Sequence, residues 1–159
     1  MNEAKTAGLT GLEIRPMTIG DLPAVLELER ECFSPPWSER SFRDALGLDY
    51  YHFLIAEYDG ETAGYGGYIR SFETADIASI AVRKNLRRTG IGEKLLRRLM
   101  EDGYRAGVER FSLEVRVSNR PAIALYEKLG YHQEGIRRGY YEDPREDALI
   151  LWTGGVSDT

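Results

Sequence analysis

RRTGIGEKLLRRLMEDGY, residues 87 to 104, reads as a glycine turn opening into an amphipathic helix. Gly90 and Gly92 strip side chains from the turn, so backbone N–H groups at the helix start can face an anion that the helix dipole also favours. Arg87 and Arg88 stand beside it as charge-assisted donors, and a guanidinium fork suits a pair of phosphate oxygens. A basic surface turn whose glycines serve only backbone angles has the same letters. From Ile91 the apolar positions Leu95, Leu96, Leu99, Met100 and Tyr104 fall opposite Glu93, Lys94, Arg97, Arg98, Glu101 and Asp102, a clear helical period. Gly103 is tolerated inside that helix at some cost and Gly107 ends it.

Upstream, Tyr51–Tyr58 and Thr62–Arg70 read as strands joined at Asp59-Gly60, a strong hairpin signal, and Thr74–Val82 as a third. Gly64, Gly66 and Gly67 weaken a regular ladder and predict a bend or bulge. Consecutive antiparallel strands before the glycine turn differ from a dinucleotide fold, where the fingerprint follows the first parallel strand. No Lys-Ser or Lys-Thr pair closes the loop in the Walker manner. Leu12–Met17 reads as the first strand. Thr18 can cap a helix whose apolar side carries Leu22, Val25, Leu26, Cys32 and Phe33, and which ends before Ser34-Pro35-Pro36. Ser38 starts a second short helix that runs to Leu46, with Gly47 as its stop. Between them Trp37 sits on a stiff loop, where it either plugs the core edge or lines a substrate pocket.

Downstream, Phe111 to Val117 alternates as a strand. Asn119 or Ser118 caps a helix with Pro121 in its first turn and Ala122, Leu125, Tyr126 and Leu129 on one stripe, stopped by Gly130. Tyr131–Arg138 and Asp147–Trp152 read as two last strands, with Tyr140, Tyr141, Asp143 and Pro144 in a loop between them. The fold class is therefore α/β, with one domain over residues 12–152 between a flexible extension, 1–11, and a short tail, 153–159.

The 159 residues carry 21 basic and 26 acidic side chains, a formal charge of −5, which argues against a general nucleic-acid binder while leaving room for a local basic patch. Hydrophobic residues at 42% and charged residues at 30% are an ordinary globular balance. No apolar run approaches bilayer length and the first eleven residues lack the apolar segment of a signal peptide, so a cytoplasmic protein is expected. Cys32, alone among apolar neighbours, reads as a buried small hydrophobe. His52 and His132 fall in separate strands with no compact ligand pattern, so no metal is expected.

Two residues near the turn carry candidate chemistry. Glu114, in the middle of an alternating strand, faces either solvent or a cleft, where it would be a general base. Tyr126 is either a packing aromatic or an acid, and with a reference pKa near 10 it needs a strongly basic partner such as a leaving thiolate.

IAVRKNLRRTGIG, residues 80 to 92, followed by LEVRVSNRPAIALYEKLGY, residues 113 to 131, resembles the GNAT family of acetyl-CoA-dependent N-acetyltransferases. Together with SPPWS at 34–38, and with IRRGYY and REDALIL inside 136–151, the chain resembles the RimI-type members, which acetylate the N-terminal alanine of ribosomal protein bS18. The similarity spans residues 12 to 152. It implies a GNAT fold, with a mixed sheet of about seven strands flanked by about four helices. Arg87, Arg88, Thr89, Gly90, Ile91 and Gly92 would be the pyrophosphate loop of acetyl-CoA, and the backbone of Ile80, Ala81 and Val82 would pair with its pantetheine arm. Asn119 would contact the pantetheine or start the next helix. Glu114 matches the general base, Tyr126 the acid that protonates the CoA sulfur, and Trp37, Tyr140 and Tyr141 surround the acceptor. The implied partner is a protein N-terminus, with bS18 as the named acceptor, acetyl-CoA as cosubstrate, and neither metal, nucleic acid nor membrane. A lysine or small-molecule amine as acceptor, or a CoA-binding interaction module without catalysis, stays open, and the sequence does not set the oligomeric state. Two departures from the family pattern stand out: Arg83, Lys84 and Asn85 replace a frequent proline after the IAV strand, and Gly130-Tyr131 replaces a common Gly-Phe.

Overall fold

The computed structural model describes residues 11–154. In chain order the elements are β1 (Leu12–Pro16), α1 (Leu22–Cys32), α2 (Glu39–Leu46), β2 (Tyr51–Tyr58), β3 (Glu61–Ser71), β4 (Thr74–Val82), α3 (Ile91–Ala106), β5 (Arg110–Arg116), α4 (Arg120–Lys128), β6 (Tyr131–Glu142) and β7 (Arg145–Thr153). The strands form one sheet in the order β1-β2-β3-β4-β5-β7-β6, antiparallel throughout except for the parallel β4–β5 pair. Seven strands and four α-helices in a mixed sheet are the architecture expected from the sequence.

Strand alternation sends Phe53 and Ile55 of β2 to one face, where they join Leu22, Val25 and Leu28 of α1 and Phe42 and Ala45 of α2. Leu54 and Ala56 go to the other, against Ile91, Leu95, Leu96 and Leu99 of α3. These four α3 side chains are at most 1% exposed, and each contributes at most about 1.5–3 kcal/mol by leaving water. The glycines of β3 allow close packing on both faces: a Cβ on Gly66 would lie 3.0 Å from Leu99 Cδ1 of α3, and one on Gly67 would lie 2.4 Å from the Phe53 ring on the α1 and α2 face. The irregularity expected from these glycines is present. Gly67 pairs with Ser79 and Tyr68 with Ile77, so Ala78 is an extra, bulged residue on β4.

Several boundaries differ from expectation. Tyr140 and Tyr141 lie within β6, not in a loop, because Tyr141 pairs with Glu146 and Glu142 with Arg145, leaving only Asp143-Pro144 as the turn. Aromatic side chains on a paired strand suit the pleated surface, and this extends the ladder. Phe33 is the extended C-cap of α1 and is 37% exposed, so it is not part of the helix's buried side. Thr18 caps a short 3₁₀ turn, Ile19–Asp21, rather than α1 itself. Ser38 and Asn119 cap α2 and α4 as expected, accepting from Ser41 N at 3.1 Å and Ala122 N at 3.3 Å. β7 continues to Thr153, whose hydroxyl accepts from Phe111 N at 2.9 Å. Most of the 1–11 extension and of the 153–159 tail lies outside the described residues.

Gly103 in α3 is explained by a single contact. A methyl there would stand 2.3 Å from Phe111 Cζ, and Phe111 is fully buried with its ring held between Tyr68 and Tyr104. Gly103→Ala therefore loses stability despite a helix-propensity gain of about 1 kcal/mol, with a net cost of about 1–2 kcal/mol from overpacking. Urea unfolding checks this, and an unchanged or higher midpoint would contradict it.

Candidate active site

The parallel ladder between β4 and β5 is short. It holds Thr74 to Arg110, Ala75 to Phe111 and Asp76 to Ser112, and then stops. The bulge at Ala78 follows at once and bends β4, so from Ile77 onward the two strands diverge and one edge of β4 is left without a strand partner. The Val82 carbonyl faces that edge, accepting from Arg87 Nε at 3.2 Å and from Cys32 Sγ at 3.7 Å. By the period of two, the amide and carbonyl of Ile80 face the same way. Ala81 is turned the other way, with its carbonyl over Gly64 of β3. Of the three residues expected to pair with a pantetheine arm, Ile80 and Val82 thus present their main chain to the opening.

On one side of this edge lies a cavity of about 800 Å³, lined by Ile80, Ala81 and Val82 and by Arg87, Arg88, Gly90, Ile91 and Gly92 of the turn. Gly90 is the N-cap of α3 at φ 92°, a left-handed backbone that glycine adopts without strain. It offers no side chain to the first turn, and Lys94 N to Gly90 O at 3.0 Å is the first helical hydrogen bond, so the N–H groups ahead of it are available to an anion. A Cβ on Gly92 would meet nothing nearer than Val82 Cγ2 at 3.7 Å, so the protein itself has room for one and the space above Gly92 belongs to the cavity. Arg87 folds back over the strand edge, with Nη2 3.3 Å from Cys32 Sγ. Thr89 turns its hydroxyl back to the Leu86 carbonyl.

On the other side is a second cavity of about 790 Å³, which shares Cys32, Phe33 and Ile80 with the first. Here the fold brings together Glu114 from β5, Tyr126 from α4, Asn119 from the α4 cap, Trp37 from the α1–α2 loop, and Tyr140 and Tyr141 from β6. Glu114 Oε2 accepts a hydrogen bond from Arg137 Nε. Burial pushes the Tyr126 hydroxyl up from its ordinary range, so it is held protonated. Burial and the neighbouring Glu114 carboxylate raise Tyr140, and the same two causes push Tyr141 up to about 12. The guanidinium of Arg116 stacks 4.3 Å from the Tyr141 ring centroid and pairs with Glu146 at 3.2 Å, which props the ring against the cavity.

The sequence did not point to the placement of four residues in or beside this second cavity. Cys32 is half-buried at the junction of the two lobes, packed on the edge of the core, and has a basic neighbour from outside its own helix, Arg87. Arg137 reaches Glu114 across the β6–β7–β5 register, a relation without sequence proximity. Asp76 stands at the end of the β4–β5 ladder, with Ser112 Oγ donating to it at 2.9 Å and burial raising its pKa above 3.8. Glu29 of α1 is 3% exposed and also lines this cavity. Its signal was in the text, since it lies four residues after Val25 and three before Cys32 on the apolar stripe. Among the described residues no group of three or more His, Cys, Asp or Glu is arranged to hold a metal ion, and no helix is long and apolar enough to cross a membrane.

The arrangement is a cleft in two lobes meeting at Ile80, one built for an anion and an extended chain, the other for a cationic group beside a carboxylate and a protonated phenol. Comparisons with known proteins point to one family. The acetyltransferase (GNAT) family model matches residues 22–131. A Bacillus subtilis protein named provisionally as a ribosomal protein bS18-alanine N-acetyltransferase is 42% identical over 144 residues, 90% of this chain and 95% of that protein. The Escherichia coli K12 bS18-alanine N-acetyltransferase is 39% identical over 133 residues, covering 82% of this chain and 89% of its own length. A crystal structure of the Escherichia coli ribosomal-protein-S18-alanine N-acetyltransferase superimposes with a TM-score of 0.82 at 34% identity, covering 91% of this chain and 97% of that one.

The Asp76 carboxylate costs the fold stability at neutral pH. Its folded pKa is raised, so its contribution is fully present below the unfolded value of 3.8 and is lost as pH rises through the folded pKa. Asp76→Asn, which can still accept from Ser112, should raise the urea midpoint at pH 7, with the gain shrinking as the pH is brought toward 3.8. A lower midpoint at pH 7 would contradict this.

Proposed function

The chain belongs to the GNAT family of acetyltransferases, and from that premise we propose that this acetyl-CoA-dependent N-acetyltransferase acts on the N-terminal α-amine of a protein, with the N-terminal alanine of bS18 as its acceptor. The observation that carries the reading is the placement of Glu114 and Tyr126 in one lobe that joins the anion turn's lobe at Ile80. Similarity at 42% and 39% to proteins named for the bS18 alanine supports this acceptor over a lysine or a free small amine. The proposed compartment is the cytoplasm, where a ribosomal protein is made.

The residues present fit acetyl-CoA. The uncapped start of α3, the space above Gly92 and the guanidinium groups of Arg87 and Arg88 suit its pyrophosphate, and the edge at Ile80 and Val82, which no strand covers, suits the amides of its pantetheine arm. When bound, it supplies an acetyl thioester, whose carbonyl the amine attacks and whose sulfur leaves. An ammonium has no lone pair for that attack, so Glu114 removes its proton, directly or through water. Arg137 bonds Oε2 of Glu114, and an arriving ammonium competes for the same carboxylate. A main-chain N–H at Ile80 or Val82 polarises the carbonyl. Tyr126, kept protonated by its burial, gives its proton to the departing thiolate. Trp37, Tyr140 and Tyr141 form an aromatic enclosure suited to a short peptide end.

Incubation with acetyl-CoA and a peptide bearing a free N-terminal alanine, beside the same peptide blocked at its α-amine and carrying an internal lysine, tests the acceptor. Fragmentation mass spectrometry should place the acetyl group on the α-amine. Acetylation of the blocked peptide's lysine at an equal rate would overturn the reading. Glu114→Gln should lower kcat about a hundredfold with the acetyl-CoA KM unchanged, and a change confined to the acceptor KM would reassign Glu114 to positioning.

The two turn glycines should separate by mechanism. Gly92→Ala should leave the unfolding midpoint unchanged or raise it while raising the acetyl-CoA KM, since its methyl suits the helix and fits the protein but enters the cavity. Gly90→Ala, forced to φ 92°, should cost about 1 kcal/mol of stability as well as affinity. Unchanged cofactor affinity in both variants would place the pyrophosphate elsewhere.

A further inference from the structure

Glu29 is a carboxylate in the wrong place for a helix that only packs. It lies on the inner stripe of α1 and is 3% exposed. A leucine there would fill the space without the desolvation that a buried charge entails. Its two partners are neutral donors from different parts of the fold. The Tyr65 hydroxyl of β3 donates to Oε2, and the Trp37 main-chain N–H donates to Oε1 at 2.6 Å. Burial, followed by the bond to Glu29, raises the Tyr65 pKa, so the phenol stays a donor. The first bond ties Glu29 to the sheet. The second reaches out of the helix and fixes the loop that follows it.

That loop is otherwise held by packing on one side. The Trp37 ring meets Phe42 at 5.1 Å in a tilted contact and Tyr51 and Phe53 edge-on at 6.2 and 6.5 Å, while 38% of the residue stays exposed at the second cavity. We propose that Glu29 is a positioning residue for the acceptor: its buried carboxylate clamps the Trp37 backbone to Tyr65 of the central sheet, so that the indole is a rigid wall of the acceptor lobe. The proposal rests on the reading of that lobe as the acceptor site. It assigns Glu29 no contact with the reacting atoms, because both of its oxygens are already engaged by protein donors. The amide of glutamine, in contrast, accepts through one oxygen only. Of the two donors, a phenol can turn round to accept from the new NH₂ group and a main-chain N–H cannot. Glu29→Gln can therefore keep both contacts, its oxygen on the Trp37 N–H and its NH₂ group on the phenol, whereas Glu29→Leu removes both acceptors and releases the loop.

In the unaltered protein, ¹⁵N-detected hydrogen exchange should show the Trp37 amide protected at least about tenfold beyond the neighbouring amides of its loop. Exchange at the loop's own rate would overturn the clamp, and no variant needs to fold for that result. With Trp152→Phe leaving Trp37 as the sole indole, Glu29→Leu should raise acrylamide quenching of Trp37 about twofold, and Glu29→Gln and Tyr65→Phe should raise it less. For a free N-terminal alanine peptide, Glu29→Leu should raise the acceptor KM about tenfold with kcat and the acetyl-CoA KM within about twofold, and Glu29→Gln should stay near the parent. Equal rises in both KM values, or a lowered kcat with an unmoved acceptor KM, would contradict a role in positioning Trp37. If the parent enzyme acetylates no such peptide, the acceptor reading fails, and exchange and quenching still decide whether Glu29 clamps the loop.

Discussion

Everything functional in this chain follows from the point where β4 and β5 stop being neighbours. The parallel ladder ends at Asp76 and Ser112, and the extra residue at Ala78 turns β4 aside. A sheet interior is normally a continuous hydrogen-bonded surface, and an edge in its middle is costly unless something else pairs with it. Here that edge at Ile80 and Val82 separates a cavity lined by the α3 turn from one lined by Glu114 and Tyr126. The β3 glycines, the helices on both faces and the long β6–β7 hairpin hold the opening in shape. The chemistry of an acetyltransferase then needs only a cosubstrate along the edge and an amine opposite it.

The legibility of the fold in the sequence varied with the range of the interaction. Helices α1 to α4 and most strands were readable because their signals are local: the α3 stripe of Leu95, Leu96 and Leu99, the Asp59-Gly60 turn, the Ser38 and Asn119 caps. The glycines of β3 announced irregularity, though not that Ala78 would be the bulged residue, which is settled by register with a neighbouring strand. Tyr140 and Tyr141 were misplaced into a loop because Asp143-Pro144 is a strong turn signal and the pairing that extends β6 lies in the partner strand. The same limit hid Arg137 and Asp76, whose partners Glu114 and Ser112 are brought to them only by the sheet order. The candidate residues themselves were legible mostly through resemblance, since one glutamate on a strand and one tyrosine on a helix carry little by composition.

Polar groups in awkward places mark where stability and site are in tension. Asp76 is desolvated beside the cleft, and Glu29 is buried against two neutral donors. Tyr131 stands where the family commonly has phenylalanine: its ring is 3% exposed against Tyr126, and its hydroxyl has no hydrogen-bond partner among the described residues. An unsatisfied buried hydroxyl costs about 1–3 kcal/mol. Asp76 and Glu29 line the second cavity, while Tyr131 packs against Tyr126 of α4. The core on the α3 face is by comparison plain, with leucine, isoleucine and phenylalanine filling the space left by glycine.

The central claim is that the open edge of β4 is a pairing surface for the pantetheine arm of acetyl-CoA, and residue-resolved amide exchange with and without acetyl-CoA tests it directly. Ile80 and Val82 should exchange more slowly when acetyl-CoA is bound, together with Ile91 and Gly92 at the start of α3, while Ala81, already turned toward β3, should change little. Slowed exchange elsewhere with Ile80 and Val82 unaffected would contradict the account.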